Sequence, residues 1–164
     1  MKHLMSGNEA TARGVYEAGI KICSAYPGTP STEILENLPP YQKDVYCEWA
    51  PNEKVAVEVA YGASIAGSRS FCTMKMVGLN VAADPLFTAG YMGVGGGFVV
   101  VTADDPSCHS SQNEQDNRHY AKLGKFPMLE PCDSQECKDF MIEAVDMSER
   151  FDTPVVIRTT MRTS

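Results

Sequence analysis

Positive charge is scarce in this 164-residue chain: 14 lysines and arginines stand against 21 aspartates and glutamates, a formal net charge of −7. That balance makes a poor electrostatic surface for a phosphate backbone, so nucleic acid is not an expected partner. No apolar run is long enough to span a bilayer, and residues 1–9 lack the apolar core of a secretion signal. Cysteines number six, yet no two form a Cys-x-x-Cys pair. The nearest two, Cys132 and Cys137, have the wrong spacing for a zinc or iron–sulfur ligand set. Cys23, Cys47 and Cys72 lie within apolar runs. Free thiols packed as small hydrophobes in a reducing cytoplasm are therefore expected, with no metal site.

Hydrophobic residues make up 43% and charged residues 21%, an ordinary globular balance, and the length suffices for one domain over residues 1–164 with a full core. Ser6 and Glu9 have the spacing of a capping box, which predicts a helix from there to residue 18, stopped by Gly19. Residues 20–26 read as a short buried strand, broken at Pro27-Gly28-Thr29-Pro30. Ser31 and Thr32 are expected to cap a short helix over 33–38. Strands are predicted over 44–49 and 69–75, then a turn at Gly78-Leu79-Asn80 and a helix over 81–92, with Pro85 early in it or marking its true start. Phe98-Val99-Val100-Val101-Thr102-Ala103 is the clearest strand: continuous, β-branched and without polar alternation, as in a parallel sheet covered on both faces. A polar stretch over 109–120 precedes a short strand at 126–130. Asp133 and Glu136 form a second capping box, opening a helix to about residue 150, and a last strand covers 155–160. Strands and helices alternate throughout, without repeats or linkers. The expected fold is three-layer α/β/α around a mainly parallel six-stranded sheet, with ligands bound beyond the carboxyl ends of the strands.

The stretch over 49–67 organises this scheme. Asn52 after Pro51 reads as an N-cap, so Glu53 falls in the first turn of a helix built largely of small residues: Ala56, Ala60, Gly62, Ala63, Ser64, Ala66 and Gly67. Such a helix lets other backbones approach closely, which suits a central position or a subunit contact. Taken alone, Glu53 needs no role beyond complementing the helix dipole. Likewise Pro27-Gly28-Thr29-Pro30 is by itself only a rigid strand-to-helix turn, and a polar run from His109 only a solvated loop. The glycines at 93 and 95–97 precede a strand rather than opening a helix, so they lack the geometry of a phosphate loop.

Four motifs taken together carry more information. They are Ala25-Tyr26-Pro27-Gly28-Thr29-Pro30-Ser31, Asn52-Glu53-Lys54-Val55-Ala56, Gly78-Leu79-Asn80-Val81-Ala82-Ala83-Asp84-Pro85, and Ala103-Asp104-Asp105-Pro106 through His109-Ser110-Ser111-Gln112-Asn113-Glu114-Gln115-Asp116. In this order, across nearly the whole chain, they resemble the pyrimidine-binding (Pyr) domain of thiamine-diphosphate enzymes, in the 2-oxoacid ferredoxin oxidoreductase family and nearest its indolepyruvate-oxidising alpha subunits.

The resemblance implies a division of labour. In that family a glutamate at a helix start hydrogen-bonds N1′ of the cofactor's aminopyrimidine, and Glu53 matches it. Pro27 matches a residue whose backbone lies near the pyrimidine, and Thr29 one whose hydroxyl faces substrate. Gly28 stands where pyruvate-specific relatives carry a bulkier aliphatic residue, which implies room for an aryl 2-oxoacid. His109 is implied near substrate or at a dimer contact. Met76 departs from a histidine found in many relatives. The implied activity is oxidative decarboxylation of aryl 2-oxoacids such as indolepyruvate to aryl-acetyl-CoA, with ferredoxin as electron acceptor. A non-oxidative thiamine-diphosphate decarboxylase subunit, or a non-catalytic doubly wound assembly module, are the alternatives. The chain has no Gly-Asp-Gly motif for Mg²⁺ and diphosphate and no cysteine run for iron–sulfur clusters. The resemblance therefore implies a diphosphate-binding partner domain or subunit that holds Mg²⁺, clusters elsewhere in the assembly, a homodimer, and a chain inactive in isolation.

Overall fold

A computed structural model describes residues 3–164. The elements run α1 (Gly7–Glu17), β1 (Ile22–Ala25), α2 (Thr32–Glu36), a 3₁₀ turn (Pro39–Tyr41), β2 (Tyr46–Trp49), α3 (Glu53–Ile65), β3 (Ser70–Lys75), α4 (Gly78–Met92), β4 (Phe98–Asp104), α5 (Arg118–Gly124), β5 (Met128–Leu129), α6 (Ser134–Phe151) and β6 (Val155–Thr160). The six strands form one sheet in the order β2-β1-β3-β4-β6-β5. Every pairing is parallel, so the expected mainly parallel sheet is wholly parallel. No helix is long and apolar enough to cross a membrane among the described residues.

The core lies in two layers because successive strand residues face opposite ways. On one side Phe71, Val99, Val101 and Ile157 pack with Val15, Met141 and Val145 of α1 and α6. On the other, Cys72, Met74, Val100 and Val156 pack with Val57, Ala60, Leu79 and Leu86 of α3 and α4. β4 is buried along its whole length, as its unbroken apolar run requires. Cys23, Cys47 and Cys72 sit on β1, β2 and β3.

Local chemistry fixes the helix ends. Ser6 and Glu9 form the expected reciprocal box. Asp133 Oδ1 accepts from the Glu136 N–H (2.8 Å), but Glu136 reaches back one residue further, to the Cys132 N–H (2.8 Å), so the second box is not reciprocal. Ser31 and Thr32 do not cap α2. Their hydroxyls serve Gly28 instead: Ser31 Oγ donates to its carbonyl (2.8 Å), and Thr32 Oγ1 accepts from its N–H (2.8 Å). Gly78-Leu79-Asn80, expected to be a turn, is the first turn of α4: the Leu79 and Asn80 N–H groups bond to the Met76 and Val77 carbonyls. Pro85 is thus inside the helix, not at its start. The polar stretch after His109 ends in an unanticipated helix, α5, which buries only Ala121.

Candidate functional site

The sheet order reverses between β1 and β3: from β1 the chain steps outward to β2, then crosses back to β3 on its other side. At such a switch point the loops leaving the two strands part and open a crevice beyond their carboxyl ends. Residues 26–31 leave β1, residues 50–52 lead from β2 into α3, residues 76–77 join β3 to α4, and residues 105–117 follow β4.

Glu53 is the first residue of α3, held there by Asn52, whose side chain accepts the Val55 N–H at 3.0 Å. Its side chain is half-buried and lies against the first turn of α4. A methyl carbon built on Gly78 would fall 2.6 Å from both Cγ and Oε1 of Glu53. Only a residue without a side chain lets the carboxyl group sit there. No hydrogen bond or ion pair within the chain engages that carboxyl among the described residues. It is an acceptor at the mouth of the crevice with nothing to accept from.

Pro27 and Thr29 are exposed, and Gly28 is partly so. The Thr29–Pro30 peptide is cis, and Asn8 Nδ2 donates to the Pro30 carbonyl at 2.8 Å. Thr29 lines a cleft of about 460 Å³ together with Ser6, Asn8, Glu33 and Met161; Glu53, Gly28 and His109 do not line it. The space opened by the missing side chain at Gly28 is not free for an aryl group. Lys75 fills it, with its Cβ 2.7 Å from where a Gly28 Cβ would stand. Lys75 Nζ then donates to the Ser110 carbonyl at 2.5 Å, joining the β1 and β4 loops across the crevice.

His109 is exposed, and its backbone N–H donates to Asp105 Oδ1 at 3.0 Å. Asp105 also accepts from the Ser110 N–H (2.7 Å) and Ser111 Oγ (2.6 Å). These donors, Ser111 foremost, hold the Asp105 carboxyl below its ordinary range although the residue is inaccessible to solvent. Asp116, bound by Arg118, is lowered to about 2. Its neighbour in the network, Asp104, is raised instead, because burial outweighs the Asn117 N–H and the Arg158 guanidinium that bond it.

A buried polar network that sequence reasoning missed lies beneath this loop. Arg158 Nε bonds Asp104 at 2.7 Å, and its Nη1 bonds Glu130. Asn117 donates to the Met76 carbonyl and to Thr102 Oγ1, and Gln115 donates to the same carbonyl at 3.0 Å. The signal was present: one arginine in the otherwise buried strand Val155–Thr160 requires a carboxylate partner. Met76 itself is fully buried, its sulfur accepting the Asp105 N–H at 3.4 Å. It supports the loop from below and does not face the crevice. No group of three or more potential metal ligands occurs among the described residues.

A wholly parallel α/β sheet with a glutamate starting a helix at its carboxyl edge fits a thiamine-diphosphate-binding domain. The family model described as Pyruvate flavodoxin/ferredoxin oxidoreductase, thiamine diP-bdg, matches residues 13–161, and the chain belongs to that family. More particularly, it is similar to indolepyruvate oxidoreductase subunits IorA. It is 55% identical to that of Archaeoglobus fulgidus and 53% identical to that of Methanothermobacter thermautotrophicus, over 99% of this chain in each case. It spans about a quarter of the length of those relatives, 27% of each. Among solved structures, the 2-oxoglutarate:ferredoxin oxidoreductase from Magnetococcus marinus, with 2-oxoglutarate, coenzyme A and succinyl-CoA bound, matches with a TM-score of 0.86. That match has 23% identity and covers 95% of this chain and 29% of the other, a likeness of fold.

Proposed function

We propose that this chain forms the pyrimidine-binding half of a thiamine diphosphate site in an assembly that oxidatively decarboxylates aryl 2-oxoacids, indolepyruvate among them, to aryl-acetyl-CoA with ferredoxin as electron acceptor. The observation that carries the reading is the Glu53 carboxyl: half-buried, seated against Gly78 and without a partner in its own chain. A carboxyl group so placed fits an aminopyrimidine, whose ring nitrogen needs one hydrogen-bonding carboxyl and whose flat face needs a wall without side chains. When bound, thiamine diphosphate supplies the carbon nucleophile for the keto carbon of the substrate.

The work of this chain is then positional and protonic. Glu53 would share a proton with pyrimidine N1′, held for it by the Asn52 cap and the Gly78 contact. The Pro27 backbone would hold the pyrimidine, and Thr29 and His109 would contact the substrate. Gly28 contributes by admitting the Lys75 stem. Mg²⁺ and the diphosphate are held by a partner domain or subunit, and iron–sulfur clusters belong to other parts of the assembly. α3, with its small residues, sits at a homodimer contact, and the assembly works in the cytoplasm.

The test is Glu53→Gln in the complete assembly. Turnover is expected to fall by at least about 100-fold, the usual worth of a positioned proton-transfer group, with melting temperature unchanged. Unaltered turnover would remove the reading.

A further inference from the structure

Lys75 is the last residue of β3, on the inner side of the switch point. In the strand register it stands opposite Ala103 of β4 and two residues beyond the Thr73–Ala25 pair, level with Pro27. Its stem is fixed against Gly28 and its ammonium reaches the Ser110 carbonyl. The head group therefore lies in the crevice between the loop carrying Pro27 and Thr29 and the loop carrying His109.

The charge balance around it is lopsided. Residues 26–31, 50–53, 76–78 and 105–116 contain no lysine or arginine. Cations nearby are already committed: Lys54 to Asp84 (3.0 Å), Arg118 to Asp116 (2.7 Å), and Arg158 to Asp104 (2.7 Å) and Glu130. Lys75 forms no ion pair with any described residue. Asp105, an acid of the adjoining loop, is occupied by donors of that loop itself. An ammonium without a counter-anion among the described residues, bonded to a backbone carbonyl between two loops that carry no other lysine or arginine, is a local place for an anion to bind in a chain that is otherwise acidic.

We propose that Lys75 binds the carboxylate of the 2-oxoacid substrate. The inference rests on the function proposed above and adds to it the group that recognises the acid. One end of the substrate is fixed by charge at β3, and the keto carbon is thereby presented between Lys75 and the Glu53–Gly78 contact. Gly28 acquires a reason as well: any side chain there would drive the lysine stem away. The contact has a kinetic signature. The ammonium touches only the carboxylate and not the reacting keto carbon, so it binds the substrate and its transition state about equally. Such a contact governs KM, not the chemical step.

The experiment uses the complete assembly with Lys75→Met, an uncharged side chain of similar length, and Lys75→Arg. For Lys75→Met, KM for the aryl 2-oxoacid is expected to rise roughly 10- to 100-fold, the worth of one charge-assisted hydrogen bond. kcat should hold, thiamine diphosphate affinity should be unchanged, and Lys75→Arg should recover most of the loss. Equilibrium binding of the 2-oxoacid should weaken while that of its neutral methyl ester does not. An equal loss for acid and ester, or a fall in kcat with KM unchanged, would make Lys75 a loop tether and overturn the proposal. Absence of any 2-oxoacid binding or turnover by the unmodified assembly would overturn the function proposed above together with this inference, so the two failures are distinguishable.

Discussion

At the scale of single residues, the site depends on side chains that are missing. Gly78 and Gly28 stand where a methyl group would collide with Glu53 and with Lys75. Gly78→Ala is therefore expected to push the Glu53 carboxyl from its seat while improving the helix it belongs to. Alanine gains up to about 1 kcal/mol over glycine in a helix, so melting should be unchanged or slightly raised. Turnover should fall by roughly 100-fold, as when a reacting group is displaced by about an ångström. A melting curve and a kcat measurement on the complete assembly check both halves; full activity with intact folding would mean that Glu53 is not held by this contact. The two partners differ in how readable they were. The place of Glu53 at a helix start was visible because Asn52 announces it locally, while its role came only from the four motifs taken together. Gly78 looked like a turn residue, because its real constraint comes from a different helix. The same holds for Gly28, where a vacancy was expected and the neighbouring strand supplies a lysine.

At the scale of elements, the sheet and its helices were legible because their signals are local: an unbroken apolar β4, and caps at Ser6, Asn52 and Asp133. Three things were not. α5 escaped because Arg118-His119-Tyr120-Ala121-Lys122-Leu123-Gly124 buries one alanine and has no apolar stripe. The cap assigned to Ser31 and Thr32 failed because hydroxyls in a turn have competing backbone partners, and here both went to Gly28. The Asp104–Arg158 pair escaped because its members lie on different strands, β4 and β6. The loop over residues 105–117 follows from that framework and makes an acid-pH prediction. Asp105 and Asp116 have carboxyls lowered from the ordinary 3.8, Asp116 to about 2. Groups with depressed values stabilise the fold above the unfolded value and lose that contribution as pH falls through the folded one. Asp104 has the opposite sign: raised by burial, it takes up its proton first and its ionisation disfavours the fold. The loop should hold its shape at pH 4 and loosen only toward pH 2. The backbone amides of His109 and Ser110 report on it directly, since both donate to Asp105. Their NMR shifts should titrate with a midpoint below 3.8, and Asp105→Asn should abolish the titration. A midpoint at or above 3.8 would contradict the arrangement.

At the scale of the molecule, the two core layers are closed while the candidate site lies open. The apolar side chains of β3, β4 and β6 are covered on both faces, yet Glu53 is only half-buried and Pro27, Thr29 and His109 are exposed. The outer ends of α3 and α4 leave Ile65, Tyr91 and Met92 more than half exposed. Both features are what an assembly with further domains would cover. Energetics lead to a specific expectation for cofactor binding. Association costs on the order of 4–15 kcal/mol in lost translational and rotational freedom. One hydrogen bond to a charged group returns about 1.5–3 kcal/mol, and under the proposed function this chain would offer the pyrimidine one such group, Glu53. It has no Gly-Asp-Gly segment through which metal and diphosphate could contribute the remainder. The chain alone should therefore show no calorimetric binding of thiamine diphosphate at concentrations that saturate it once the diphosphate-holding partner is added. Adding the partner to chain carrying Glu53→Gln should give weaker binding than the unmodified pair. Tight binding by the isolated chain would mean that it holds a complete cofactor site, and the division of the site between two polypeptide segments would be wrong.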